Sequence, residues 1–343
     1  MTTTATATVT STATSTATST ATQLIELTAY GDAANFELVT RTLPPLATGA
    51  VRVRQHVAGV NYVDVYQRVG RYPLPLPAVL GVEGSGVIVE VGGGVDASRV
   101  GQRVAWSATN GSYAKLVDVA AERAIVLPDE VSFEQGGAGL LRSMTAYLLL
   151  NHYGRLQSGQ TVLVHAAAGG LGLVLTQWAK AMGAHVIGTV SSDEKAALAQ
   201  SRGLDQAINY REQDFVAAVR EYTAGLGADI VVDGIGGAHF LRSIEATRSG
   251  GMAVTIGSIS GEGAPAEALA AAQLRGVLME RPSILAFSKD LPQYRLATAA
   301  AMMQLQAGLV IDVAGRLPLA QVAEAHRLLE TGAAQGALLL EMN

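Results

Sequence analysis

With 343 residues, 49% hydrophobic and only 15% charged, the chain has the apolar content for about two cored domains and too little charge for extended disorder. The net charge is −5 with no long basic run, which argues against nucleic acid as the main partner. There is no cysteine, so disulfides and thiolate chemistry are excluded.

Residues 1–22 are almost wholly Thr, Ala and Ser. They lack the basic region and apolar core of a signal peptide and the arginines of a transit peptide. Their burial potential is too small to offset ordering, so the expectation is a disordered tail with the fold beginning at Gln23. Leu24 to Leu27 and Glu37 to Val39 read as a hairpin around Tyr30-Gly31-Asp32. Val51 to Val57 alternates apolar and polar residues as a half-exposed strand does. Arg71 to Pro77 is a loop by its proline density, and Leu80 to Gly92 is a glycine-broken strand. Val100 to Ala105 and Gly111 to Val117 continue the pattern, and no helix longer than about two turns is expected before Phe133. This half reads as β-rich.

From Phe133 to Asn151 the pattern is helical. Val162-Leu163-Val164 then reads as a buried parallel strand. It leads into Gly169, Gly170 and Gly172, a helix carrying Leu173, Leu175, Trp178, Ala179 and Met182, and a second strand from His185 to Thr189. This is a βαβ unit with glycines at its first turn. The spacing Ala166-x-x-Gly169-x-x-Gly172 varies the usual dinucleotide fingerprint, and its strand–turn–helix context is the one that reading requires. The alternative is a glycine turn that only packs a helix on a sheet. Helices at Glu194–Arg202, Phe215–Tyr222 and Phe240–Ala246 alternate with strands at Gln206–Asn209, Ala228–Asp233 and Gly251–Ile256. That alternation implies a doubly wound parallel sheet, hence an α/β fold. Beyond Arg281 the expectation is a helix, a strand over Leu309–Val313, a helix over Leu319–Glu330 and a strand over Ala337–Glu341. The uncharged stretches at Leu156–Ala179 and Leu296–Ile311 are too interrupted or too short to span a membrane.

The segments GVNYVDVYQRVGRYP, LGVEGSGVIVEVG, LLRSMTAYLLL, VLVHAAAGGLGLVLTQWAKAMGAHVIGTV, INYRE and ERPSIL occur in this order. On them the chain resembles the zinc-free, NADPH-dependent quinone oxidoreductase (ζ-crystallin-like) group of the medium-chain dehydrogenase/reductase superfamily. The resemblance runs from about Leu24 to the C-terminus. It implies a Rossmann NADPH-binding domain (146–282) inserted in a β-rich, GroES-like catalytic domain split in sequence (23–145 and 283–343). It also implies a cofactor cleft between them and a homodimer; the lack of cysteine fits a cytoplasmic location. Asn61, Tyr66 and Asp64 would lie at the reacting end, although Asp64 reads equally as a capping aspartate. Gly169, Gly170, Leu171 and Gly172 would face the pyrophosphate. Ser191, Ser192, Lys195 and Tyr210 would hold the adenosine end. Thr145, Gly257, Ser258 and Arg281 would line the cleft, with Arg142 standing where the group usually has lysine.

Two further readings concern chemistry. Zinc-using members of the superfamily carry a GHE motif, and here the equivalent is Gly81-Val82-Glu83. Without cysteine or that histidine no Cys₂His zinc site can form, so no metal is expected. No carboxylate ends the second strand of the βαβ unit. Ser191, Ser192, Lys195 and Tyr210 suit the 2′-phosphate of NADPH, whereas NAD readers carry an acid there. A metal-free nicotinamide, passing on a hydride or single electrons, suits acceptors that are already electrophilic, such as quinones. An enone or enal reductase is the alternative, and an NADPH-binding structural or RNA-interacting crystallin-like protein is an alternative of another class.

Overall fold

The computed structural model describes residues 20–343. The tail expected over 1–22 lies outside these for residues 1–19, and its last residues belong to the fold. Strand β1 (Ala21–Leu27) begins at Ala21. Thr22 is buried, and its hydroxyl accepts the Leu116 N–H at 3.0 Å. β1 pairs antiparallel with β2 (Phe36–Thr42) as a separate two-stranded sheet.

The β-rich half is built on β3 (Ala50–Val60), β4 (Glu83–Val91), β5 (Arg103–Ser107), β6 (Leu116–Ala120) and β7 (Ile125–Val126). A parallel sheet follows, made from β8 (Thr161–Val164), β9 (His185–Val190), β10 (Gln206–Asn209), β11 (Ala228–Asp233), β12 (Thr247–Thr255) and β13 (Leu278–Glu280). The chain then returns with β14 (Val313–Pro318) and β15 (Ala337–Glu341), which join the first half in the order β14-β15-β3-β4-β5-β7. Both β6 and β15 pair with β3, over Ala50–Arg54 and Val57–Val60 respectively.

The parallel sheet has the order β10-β9-β8-β11-β12-β13, the doubly wound Rossmann arrangement that reverses direction between its first and fourth strands. Val162, Leu163 and Val164 are fully buried, as a strand covered on both faces must be. Val164, Leu173, Trp178 and Val232 share one core with Met144 of the helix Phe133–Ala146 and with Tyr294, Ala297 and Ala301 of the helix Leu291–Gln306. These two helices therefore pack across the divisions expected near 146 and 283. Among the described residues no helix is long and apolar enough to cross a membrane.

Three elements depart from the sequence reading. The strand expected over Leu309–Val313 lies at Val313–Pro318. Leu309 is instead drawn into the core beneath the parallel sheet, and the Gln177 side chain exchanges hydrogen bonds with Val310 N–H and C=O. The helix Ala268–Arg275 and β13 were not legible, one being alanine-rich and the other three residues long.

Candidate active site

A cavity of about 490 Å³ opens at the carboxyl ends of β8 and β11, between the two halves. This is the switch point where the sheet reverses, the usual ligand position in such folds. Its floor is the turn after β8. Ala166 sits at φ 52°, and its carbonyl accepts the Gly169 N–H at 2.9 Å. A Cβ at position 172 would lie 2.3 Å from the same carbonyl oxygen, so only glycine lets the helix start this close to the strand. The helix Gly170–Ala181 begins with no side-chain cap, leaving N–H groups and the positive end of its dipole toward the cavity. Gly169, Gly170, Leu171 and Gly172 all line it.

At one end of the cavity Ser191, Lys195 and Tyr210 line the wall. The Lys195 ammonium also donates to the Gly332 carbonyl at 3.1 Å, bridging to the β-rich half. Asp193 and Glu194 are exposed and do not line the cavity. Ser192 does not reach it either, which corrects the expectation for that residue. Its hydroxyl caps the helix Asp193–Ser201 by accepting the Lys195 N–H.

At the other end stand Asn61, Tyr66, Arg142 and Thr145. Asn61 precedes the short helix Tyr62–Arg68. Its side-chain amide donates to Glu83 Oε1 at 2.8 Å. The carboxylate of Glu83, fully buried, also accepts from Arg142 Nη1 at 3.0 Å and from the Leu141 N–H at 2.8 Å. Burial pushes the Glu83 carboxyl up from its ordinary value, and Arg142, Asn61 and Leu141 oppose the rise. Gly59 makes room for this group, since a Cβ there would sit 2.3 Å from Glu83 Oε1. Arg142 further donates to the Val60 and Ala138 carbonyls. Its charge is therefore committed to the protein, although the side chain borders the cavity. Glu83 was missed as a site residue because nothing in its local sequence reports burial beside a cation.

Three other expected site residues stand elsewhere. Asp64 is fully buried behind Asn61 and does not line the cavity. It accepts from the Asn61 N–H at 2.8 Å and the Tyr113 hydroxyl at 3.0 Å, so it positions Asn61. Ser258 is buried in the cross-cleft contact. Its N–H donates to the Tyr66 hydroxyl at 2.8 Å, and its own hydroxyl accepts from Arg71. Arg281 is exposed and outside the cavity; the following Pro282, Ser283, Ile284 and Leu285 line it instead. Gly257 does line the cavity. Tyr62, Tyr72 and Leu329 complete an apolar and aromatic mouth that sequence reasoning did not pick out.

Residues 47–129 match the family model for the alcohol dehydrogenase GroES-like domain, and residues 170–305 match that for zinc-binding dehydrogenase. The chain is 36% identical over 321 residues to the quinone oxidoreductase of Salmonella typhimurium, covering 92% of this chain and 98% of that protein. It is also 36% identical over 302 residues to the 2-haloacrylate reductase of a Burkholderia species, covering 85% and 90%. The structure of Escherichia coli quinone oxidoreductase complexed with NADPH aligns with a TM-score of 0.88 at 34% identity, over 93% of this chain and 100% of that one.

Proposed function

We propose, from the premise that this chain belongs to the quinone oxidoreductase family of the medium-chain dehydrogenases/reductases, that it reduces quinones with NADPH and without a metal. The observation that carries the reading is the cavity itself. A glycine turn and an uncapped helix start form its floor, a lysine stands at one end, tyrosines stand at the other, and the acid that lines it, Glu330, is paired with Arg68.

The residues present fit the cofactor. The free N–H groups of Gly170, Leu171 and Gly172 would take the pyrophosphate. Ser191, Lys195 and Tyr210 would take the 2′-phosphate, with Lys195 contributing a charge-assisted hydrogen bond. Bound NADPH supplies a hydride. The chain orients the reacting ring through Asn61 and Thr145, with Glu83 and Asp64 fixing Asn61 by its amide and its N–H. Tyr62, Tyr72, Ile284, Leu285 and Leu329 wall the reacting end against water. The Tyr66 oxygen accepts from Ser258, so its own proton is free to be donated to the acceptor oxygen of a substrate. An electrophilic quinone needs no Lewis acid, and the cysteine-free sequence offers no Cys₂His zinc site.

The similarity to a 2-haloacrylate reductase supports a second reading, the reduction of an activated carbon–carbon double bond in the same cavity. NADPH oxidation measured across quinones, enals, haloacrylates and simple ketones separates the two. Turnover confined to activated alkenes would replace the quinone reading, and turnover of ketones alone would overturn both.

We further propose a cytoplasmic homodimer. β13 is the end strand of the parallel sheet; its Leu278 is 59% exposed, and Leu274 and Leu269 of the preceding helix are 90% and 57% exposed. Such an apolar edge suits pairing with a second copy. Sedimentation equilibrium giving the monomer mass at micromolar concentration would refute it.

A further inference from the structure

Behind the glycine turn, buried polar side chains from three strand ends and one helix form a continuous chain. Burial works against the charge of Asp233, but hydrogen bonds from His239 and Ser243 and the backbone hold its carboxyl down at about 2. It is therefore a pure acceptor. Its Oδ1 takes the Ile235 and Gly236 N–H groups at 2.6 and 3.0 Å. Its Oδ2 takes the Ser243 hydroxyl at 2.6 Å and His239 Nδ1 at 3.0 Å. With its proton so used, Ser243 Oγ must accept from His165 Nε2, 3.1 Å away. Burial pushes the His165 imidazole down to about 3, so the ring is neutral, and a proton on Nε2 leaves Nδ1 as acceptor. Nδ1 then takes the Thr189 hydroxyl proton at 3.0 Å, and Thr189 Oγ1 accepts the Ala166 N–H at 3.3 Å. Every donor in the chain points toward Asp233.

The two ends of this relay are the two turns that face the cavity. Ala166 is the positive-φ residue of the β8 turn, a conformation that is strained for a non-glycine residue and persists only where its surroundings hold it. Gly234 and Ile235 of the β11 turn also line the cavity, as do the relay members His165 and Thr189, whereas Asp233 and Ser243 do not. We infer that Asp233 is the positioning residue for both cofactor-facing turns, directly for Gly234–Gly236 and through Ser243, His165 and Thr189 for Ala166. This rests on the NADPH reading above. His165, Asp233 and His239 also present ligand atoms within 4.8 Å of one another. Both nitrogens of His165 and both oxygens of Asp233 are already hydrogen-bonded, so the cluster serves as a relay and not as a cation site.

The test uses full-length protein carrying Ser243→Ala, which acts from outside the cavity and decides the matter, and Thr189→Val, which keeps the shape of a side chain that itself lines the cavity. Each is expected to raise the NADPH Kd and KM about tenfold, the effect of one lost buried hydrogen bond, with the quinone KM unchanged and Thr189→Ser restoring most of the loss. Nitrogen NMR should show His165 protonated on Nε2 alone in the parent protein and lose that preference in Ser243→Ala. NADPH constants within a factor of about two of the parent in both folded variants, or a proton on Nδ1, would overturn the relay. A parent protein that binds no NADPH would instead overturn the functional reading. Loss of NADPH affinity on chelation would show that the cluster holds a metal and would also overturn the relay.

Discussion

Tyr66 and Ser258 join the two halves at the reacting end of the cleft, the Ser258 backbone N–H donating to the Tyr66 hydroxyl oxygen at 2.8 Å. Tyr66 belongs to the β-rich half and Ser258 follows β12 of the parallel sheet, so one hydroxyl both braces the cleft and keeps a proton to give. Tyr66→Phe is expected to lower kcat on quinones roughly 100-fold, the usual contribution of a placed proton donor. Steady-state kinetics with an unchanged kcat would assign proton delivery to water.

Lys195 is expected to read the 2′-phosphate. A charge-assisted hydrogen bond of about 1.5–3 kcal/mol corresponds to a loss of roughly 10- to 100-fold in kcat/KM with NADPH on Lys195→Ala, with little change for NADH. Comparing the two cofactors in both proteins checks this. Equal use of both by the parent enzyme would show that the phosphate is not recognised.

Glu83 and Arg142 form a buried ion pair at 3.0 Å. Glu83→Ala leaves the guanidinium buried without its partner, at an expected loss of about 3–5 kcal/mol in unfolding free energy. Glu83→Gln keeps an oxygen in place for Asn61 and should lose less. Denaturant titration of the three proteins measures both steps, and equal stability of Glu83→Ala and the parent would contradict the pairing.

Stability should also carry an Asp64 signature. Burial pushes this carboxyl up from 3.8 to about 7, against hydrogen bonds from Asn61 and Tyr113. The folded chain therefore keeps a proton that the unfolded chain releases within that range. The stabilisation is complete below 3.8 and is lost as pH rises through about 7. The unfolding free energy of the parent minus that of Asp64→Asn should fall across this window and level off above it. A difference that rises with pH would mean Asp64 is ionised in the fold.

Metal independence has a direct check. Exhaustive dialysis against a strong chelator should leave quinone turnover unchanged, because the sequence contains no cysteine and carries Val82 in the GHE position. Stoichiometric zinc whose removal abolishes turnover would contradict this.

The parts of this molecule that sequence alone disclosed are those governed by local pattern. The run from Val162 to Thr189 declares its strands by β-branched residues, its turn by glycine and its helix by apolar spacing. Lys195 and Tyr210 follow from where β9 and β10 end. Asp64 takes the capping part of its two readings by accepting the Asn61 N–H, and it, Ser192, Ser258 and Arg281 do not border the cavity, because which way each side chain points is set only once distant strands meet. The same local stretch is compatible with a lining residue and with one turned inward. The partners of Glu83, namely Asn61, Leu141 and Arg142, lie up to 59 positions away in sequence. No window read along the chain brings them together. β14 was misassigned for a related reason, since the pull on Leu309 comes from the other half.

The pairing of β15 with β3 governs the order in which the molecule assembles. That edge of β3 from Val57 to Val60 finds its partner only in Leu338–Glu341, far downstream and made well after the parallel sheet. During synthesis the parallel sheet, complete by Glu280, is free to form first. The β-rich half meanwhile waits with an open edge, a site prone to mispairing. A nascent chain stalled near residue 310 would thus present a finished nucleotide cradle beside an unfinished β-rich half. A stop codon that removes only the final strand would trap it in that state.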